Sequence, residues 1–220
     1  MDNNEDIKRF ALWFLVGVLI IGSFLAIMFM SKPPVTTPGK LSKEVSIDEW
    51  IKGDKNAKIT LVEYSDFQCP ACRSREEQIK KLISEFGTHI RFVYRNFPLR
   101  SIHPNAQISA QAAEAAGLQG KYWEMHDLLF DKQATWSPLS ANDVRATFLG
   151  YASQLGLNAD QFKKDLTSDK VKGFVDEDAD SGEASGVDST PTFFLNNSEI
   201  KPQSHDEFRK LIRDAIDASA

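Results

Sequence analysis

Cysteine is nearly absent from this sequence. Only Cys69 and Cys72 occur in 220 residues, and both fall in one Cys-x-x-Cys. So few thiols exclude a disulfide framework, and a bridge between such close neighbours would remove little chain entropy. The pair points to chemistry, not architecture. A basic excess is missing too: 26 Lys and Arg stand against 31 Asp and Glu, a net charge of −5. That balance argues against the clustered basic face of a nucleic-acid binder, so no nucleic-acid partner is expected. There is no internal repeat and no long low-complexity tract. With 42% hydrophobic residues, the chain can form one well-cored domain plus an anchor, or at most two small domains.

One long apolar run is present. Residues 10–30, from Phe10 to Met30, carry no charge, and at about 1.5 Å per residue they just span a hydrocarbon core of roughly 30 Å. A buried core helix is normally amphipathic, whereas this run is apolar on every face. A cleaved signal peptide usually has a shorter run and an A-x-A-like site, which Met28–Ser31 lacks. The expectation is a tail over residues 1–9 and an uncleaved transmembrane helix over 10–30, with the lipid bilayer as its partner. Lys8 and Arg9 precede the run and Lys32, Lys40 and Lys43 follow it, so the charge bias does not set its orientation. The cysteine chemistry puts the following domain outside the cytoplasm. Residues 31–45, with Pro33, Pro34, Pro38 and Gly39, read as an extended linker to a domain over 46–220.

Within that domain, Ile59–Ser65 is a short β-rich apolar run of the kind that forms a central strand buried on both faces. The segment from Asp66 to Cys72 follows at once. A helix is predicted from about Pro70 to Phe86, with Ile79, Leu82, Ile83 and Phe86 at helical spacing. Pro70 suits its first turn and Gly87 its end. Ile90–Phe97 reads as a second strand, parallel to the first. A helical region runs from about Pro104 to Glu183 and includes an alanine-rich stretch over 106–116 and an aromatic stripe over Tyr122–Phe130. Strand character returns at Pro191–Leu195, followed by an Asn196-Asn197 turn and an amphipathic helix near His205–Ile216. The prediction is an α/β domain: one sheet interrupted by a helical subdomain inserted at about 100–185.

Thiolates, not thiols, attack disulfides, so the nucleophile needs a lowered pKa. Cys69 precedes a predicted helix, where unpaired backbone N–H groups and the dipole favour negative charge. Cys72, three residues on, is placed to release a mixed disulfide formed at Cys69. A single Cys-x-x-Cys could also be half a zinc site, but a closed site needs four ligands. There is no second pair, and His89, His103, His126 and His205 are scattered, so no metal is expected. Glu63 lies within the apolar strand, six residues before Cys69, where a carboxylate is costly unless paired, protonated or used. It is a candidate proton acceptor for Cys72; the alternative is a strand-end residue turned to solvent. Thr190-Pro191 is an Xaa-Pro bond, the type that adopts cis at low cost. If cis, it would turn the Thr190 backbone toward the cysteines; a trans proline opening an edge strand is an equal reading of the residues alone. His103, His126, Trp123 and Trp136 read as structural, and the acidic run Asp176–Asp180 as a solvated helix face.

These segments together resemble the DsbA-like branch of thioredoxin-fold proteins. The resemblance rests on Glu63-Tyr-Ser-Asp-Phe-Gln-Cys-Pro-Ala-Cys72, Phe92–Leu99, His103-Pro104-Asn-Ala106, Ala112–Ala116, Tyr122-Trp-Glu-Met-His126 and Gly186–Phe194, in that order over about 45–218. It implies a thioredoxin fold with a helical insertion, Cys69 as exposed nucleophile, Cys72 as its partner, Pro191 as a cis-proline and Glu63 as a buried acid. Membrane-anchored members of this kind occur in bacteria, which suggests the bacterial cytoplasmic membrane. Thr190, Phe67 and the Pro70-Ala71 dipeptide are the residues expected to meet substrate. The strongly oxidising members carry a histidine between the cysteines, where this chain has Pro70-Ala71, and this leaves the direction of electron flow open. The expected activity is disulfide donation to reduced or misoxidised extracytoplasmic proteins, without a cofactor and with a membrane redox partner. The alternatives are a reductase or isomerase on the same scaffold, or a non-catalytic metal- or protein-binding module.

Overall fold

Five strands make one sheet: β1 (Ile51–Gly53), β2 (Ile59–Ser65), β3 (Ile90–Asn96), β4 (Thr192–Leu195) and β5 (Ser198–Ile200), in spatial order β1-β3-β2-β4-β5. They belong to a computed structural model that describes residues 39–219, together with residues 13 and 14. The transmembrane helix expected over 10–30 lies, apart from Trp13 and Phe14, outside the described residues, as do the tail 1–9 and residues 31–38. No helix among the described residues is long and apolar enough to cross a membrane.

All seven residues of β2 are buried, as a central strand requires. It runs parallel to β3, with Glu63 opposite Tyr94 and Ser65 opposite Asn96, and antiparallel to β4. A parallel pair needs a crossover, which is α1 (Pro70–Phe86). Cys72, Glu76, Ile79, Leu82 and Phe86 form its buried face, at the three- and four-residue spacing of a helix. Gly87 does cap α1, but in a right-handed conformation. Glycine is needed there for space, since a Cβ would meet the Ile83 carbonyl oxygen at 2.5 Å. Strand β1 has no periodicity to announce it; three residues add antiparallel to the free edge of β3.

Six helices separate β3 from β4: α2 (Ala106–Gly117), α3 (Tyr122–Asp131), α4 (Gln133–Trp136), α5 (Ala141–Gln154), α6 (Ala159–Asp165) and α7 (Asp169–Ala184). Ser140, Asn158 and Ser168 cap the last three by accepting from Asp143 N, Gln161 N and Val171 N. In α2, Ala112, Ala113, Ala115 and Ala116 are all fully buried, because small side chains allow neighbouring elements to close in from several sides. Asn196 and Asn197 take positive φ, at 46° and 75°, and make the tight turn of the β4–β5 hairpin. Helix α8 (His205–Ser219) closes the chain, burying Phe208 and Ile212.

Residues 39–45, the end of the stretch read as a linker, run along the domain. Lys40 bridges Ser198 on the edge of β5, Leu41 N donates to Asn197 O at 3.2 Å, and Ser42 Oγ donates to Ser181 O at 2.8 Å. The acidic run in α7 is likewise only partly solvated. Asp178 Oδ2 accepts from Asn96 N at 2.9 Å and from Asn96 Nδ2 at 3.1 Å.

Candidate active site

Cys69 occupies the N-cap of α1, with extended backbone angles, and Pro70 begins the first turn. Both cysteines are free thiols. Cys69 keeps 6% of its surface open and Cys72 only 1%, so the nucleophile expected to be exposed is largely covered, yet it remains the more accessible of the two. The Thr190–Pro191 bond is cis, and Cys69 Sγ contacts the Thr190 carbonyl at 3.6 Å.

The two thiols are driven apart in acidity. Cys69 is lowered to about 5, foremost by the hydrogen bond from Cys72. The Thr190 side chain and the backbone N–H groups of Cys72 and Ala71 add to this, against a cost of burial. The contact to the Thr190 carbonyl works the other way, because it exists only for the neutral thiol. Cys72 is pushed up, first by burial, then by its hydrogen bond to Cys69 and by the charge of Glu63. Glu63 is buried and raised to about 8 by desolvation and then by the charge of Glu76. Its position therefore excludes the solvent-facing alternative, and the strand interior holds a carboxyl that keeps its proton near neutrality.

Polar side chains of the loop itself and of the helical subdomain hold the segment before Cys69. Asp66 Oδ1 accepts from Gln68 N at 2.7 Å, while Asp66 Oδ2 accepts from Leu99 N at 3.0 Å and pairs with His103 Nδ1 at 2.7 Å. Gln68 Oε1 accepts from Asn105 N at 2.6 Å. Gln133 Nε2 donates to the carbonyls of Phe67 and Cys69, at 2.7 and 2.9 Å. Sequence reasoning missed Asp66, Gln68, Asn105 and Gln133 as positioning residues and left His103 without a partner. The one available signal was that Asp66 and Gln68 lie within the cysteine motif.

The residues expected to meet substrate divide. Phe67 does not reach the surface; it is buried, stacked on Tyr94 at 4.8 Å between ring centroids and packed on Phe130. A large apolar ring gains more from this aromatic cluster than from water. Pro70 and Ala71 are exposed, and Thr190 and Pro191 half-buried. Ala71, Arg75, Pro191 and Thr192 line a groove of about 520 Å³ beside the cysteines. Arg75 is held there by donation to Pro202 O at 3.1 Å.

Glu76, His126 and Asp127 are the one group among the described residues with metal-ligand proximity. The Lys80 ammonium already lies 3.5 Å from Glu76 and 3.8 Å from Asp127, and a metal ion would have to displace it. His126 packs among Phe67, Tyr94, Trp123 and Phe130 as part of the core.

A family model described as Thioredoxin matches residues 46–214. Among curated proteins, the chain is 44% identical over 146 residues to the Na(+)/H(+) antiporter NhaA 1 of Salinispora arenicola, covering 66% of this chain and 21% of that protein. It is 38% identical over 174 residues to NhaA 1 of Mycolicibacterium vanbaalenii, covering 77% of this chain and 27% of that protein. The chain thus spans only about a fifth to a quarter of these relatives. Among solved structures, oxidised BdbD from Bacillus subtilis superposes with a TM-score of 0.70 at 22% identity, covering 82% of this chain and 98% of that one. DsbA2 from Pseudomonas aeruginosa does so with a TM-score of 0.62 at 22% identity, covering 81% and 97%. At these identities the likeness is one of fold: a mixed sheet with an inserted set of helices.

Proposed function

This chain belongs to the thioredoxin family, and we propose that it is a thiol–disulfide oxidoreductase that donates disulfides to extracytoplasmic proteins. The observation that carries the reading is the geometry of the pair: Cys69 sits at the start of α1 against the Thr190 carbonyl, and Cys72 is buried three residues on. In that setting Cys69 is lowered to about 5 and Cys72 is raised. A low-pKa Cys69 is a good leaving group and stabilises the reduced protein, so the Cys69–Cys72 disulfide is readily given up. The Pro70-Ala71 dipeptide contributes no charge to this effect. The Cys72 thiol and the start of α1 supply it instead.

In the donor direction, a substrate thiolate attacks Cys69 and Cys72 departs with the electron pair and takes a proton. A second substrate thiolate then attacks the substrate sulfur of the mixed disulfide and releases Cys69 as a thiolate. Glu63, protonated near neutrality, is positioned to supply the proton to Cys72. Extended segments of reduced or misoxidised proteins fit the groove beside Ala71 and Pro191. The uncharged run over residues 10–30 supports a tether in the bacterial cytoplasmic membrane, with the domain outside and a membrane carrier reoxidising the pair. The transport named for the curated relatives is not extended to a chain that spans about a fifth of their length.

The test is a redox equilibrium titration of the full chain against glutathione, scored by labelling of Cys69 and Cys72. A potential well above that of the glutathione couple supports the donor. One well below makes the protein a reductant, and the absence of a reversible two-electron transition overturns the redox reading.

A further inference from the structure

We propose that the proton exchanged at Cys72 moves between Glu63 and solvent along a row of buried polar side chains, Ser65, Tyr94 and Tyr122, that ends at the carboxyls of Glu114 and Asp178. The proposal rests on the exchange activity proposed above and names the positioning residues that serve it. Cys72 and Glu63 are 1% and 2% exposed, so a proton passed between them still needs a route to bulk water.

The sheet register builds the row. Side chains along a strand alternate faces, and the parallel pairing sets Glu63 beside Tyr94 and Ser65 beside Asn96. Four polar side chains therefore share one face of β2 and β3. Nine buried side-chain N or O atoms among the described residues lack a hydrogen-bond partner, and five of them belong here: Glu63 Oε2, Ser65 Oγ, Tyr94 OH, Asn96 Oδ1 and Tyr122 OH. Buried polar atoms are otherwise nearly always partnered, so five such atoms on one face of the sheet mark it out from the rest of the core.

The row has an outlet. Asn96 Nδ2 donates to Glu114 Oε1 at 2.8 Å and to Asp178 Oδ2 at 3.1 Å. Tyr94, Glu114 and Asp178 all line one cavity of about 220 Å³, which shares no lining residue with the groove beside Cys69. Trp50 stacks on Tyr122 at 4.8 Å and donates to Glu114 Oε2 at 2.8 Å, fixing that end. Burial raises Glu114 to about 8 and Asp178 to about 7, so both exchange protons near neutrality.

The charged and titratable groups around the row are few. Glu76, Cys69, Cys72 and Arg75 of α1 face Glu63; Tyr122 faces Tyr94; Glu49 and Arg95 face Asp178. Glu76, bridged to Lys80, is the competing exit. When substrate opens the disulfide, the Cys72 sulfur leaves with an electron pair and takes one proton from Glu63, which is replenished along the row. When Cys72 attacks a mixed disulfide, the same proton leaves by the reverse path.

The test is single-turnover exchange with a dithiol peptide, followed across neutral pH in the full chain and in Tyr94→Phe, Ser65→Ala, Glu114→Gln and Glu76→Gln. Tyr94→Phe and Glu114→Gln are expected to slow the step at Cys72 by about a hundredfold, the low end of what positioned proton transfer contributes. Imidazole is expected to restore Tyr94→Phe, and the pH midpoint of Cys69 alkylation to stay in place. Ser65→Ala, which removes one hydroxyl and no packing ring, reads the row if Tyr94→Phe fails to fold. Wild-type rates and pH profiles in the folded variants overturn the row alone, as does a loss confined to Glu76→Gln or one that imidazole does not restore. Absence of exchange in the unaltered chain overturns the activity and the row together.

Discussion

Cys69 Sγ lies 3.6 Å from the carbonyl oxygen of Thr190, a residue 121 positions further along the chain. The first turn of α1 and the loop entering β4 thus meet at one sulfur. Reactivity at Cys69 is set from both sides: by the helix start and Cys72 on one, and by the Thr190–Pro191 loop on the other.

Alkylation of Cys69 in the reduced chain is expected to follow a thiolate titrating near pH 5. Cys72→Ala removes the largest cause of that shift, so the midpoint should rise. Rates of iodoacetamide labelling against pH, mapped by mass spectrometry, check both statements. A midpoint unchanged by Cys72→Ala would sink the assignment.

The reduction potential should depend on pH with one proton taken up for two electrons. With Cys69 ionised above about 5 and Cys72 still protonated, reduction takes up two electrons and one proton. The slope is then about 30 mV per pH unit over that range, and near 59 mV below it. Equilibrium with glutathione at several pH values reads the slope directly. A value near 59 mV at neutral pH would mean that Cys69 is not ionised.

Glu63 carries a stability cost with a definite sign. Its carboxyl is raised from 4.5 to about 8, so between those values the folded chain holds a proton that the unfolded chain has released. Stability therefore falls as pH rises through that window, by an amount on the order of a few kcal/mol. Glu63→Gln should remove the dependence, making the variant more stable than the parent above pH 8 and similar below pH 4.5. Thermal unfolding of reduced protein at both ends of the window tests the sign. The same variant should exchange more slowly, separating function from stability.

Asp66 is expected to matter as a clamp. It accepts from Gln68 N and Leu99 N and pairs with His103 Nδ1. Asp66→Asn keeps the size and loses one acceptor, at a cost of about 1–3 kcal/mol for the buried donor left behind. Denaturant midpoints of the reduced protein measure it, and a change no greater than that of an ordinary surface substitution would argue against the clamp.

Gly182 tests the packing of α7 on the sheet. A Cβ there would lie 2.6 Å from Phe97 Cδ2 and 3.0 Å from Tyr64 Cδ1. Gly182→Ala should cost about 1–3 kcal/mol through overpacking, despite the better helix propensity of alanine. A stabilised variant in thermal unfolding would show that the aromatic rings yield.

Local pattern determined the frame. The apolar run Ile59–Ser65, the helical spacing after Pro70, the strand Ile90–Asn96 and the Asn196-Asn197 turn are each legible because period and turn chemistry act over a few residues. The same locality exposed the Cys69–Cys72 pair at a helix start and an acid, Glu63, in an apolar strand. Tertiary structure decided what depends on partners far along the chain. It turned Phe67 into the core, gave Asp66 its His103 and Gln68 its Asn105, and formed β1 from three unpatterned residues at a free edge. It also took Asp178 out of an acidic run and set it against Asn96. Burial and long-range hydrogen bonding have no period, so the burial that pushes Cys72 up and the contact of Cys69 with Thr190 exist only once the chain has folded around them.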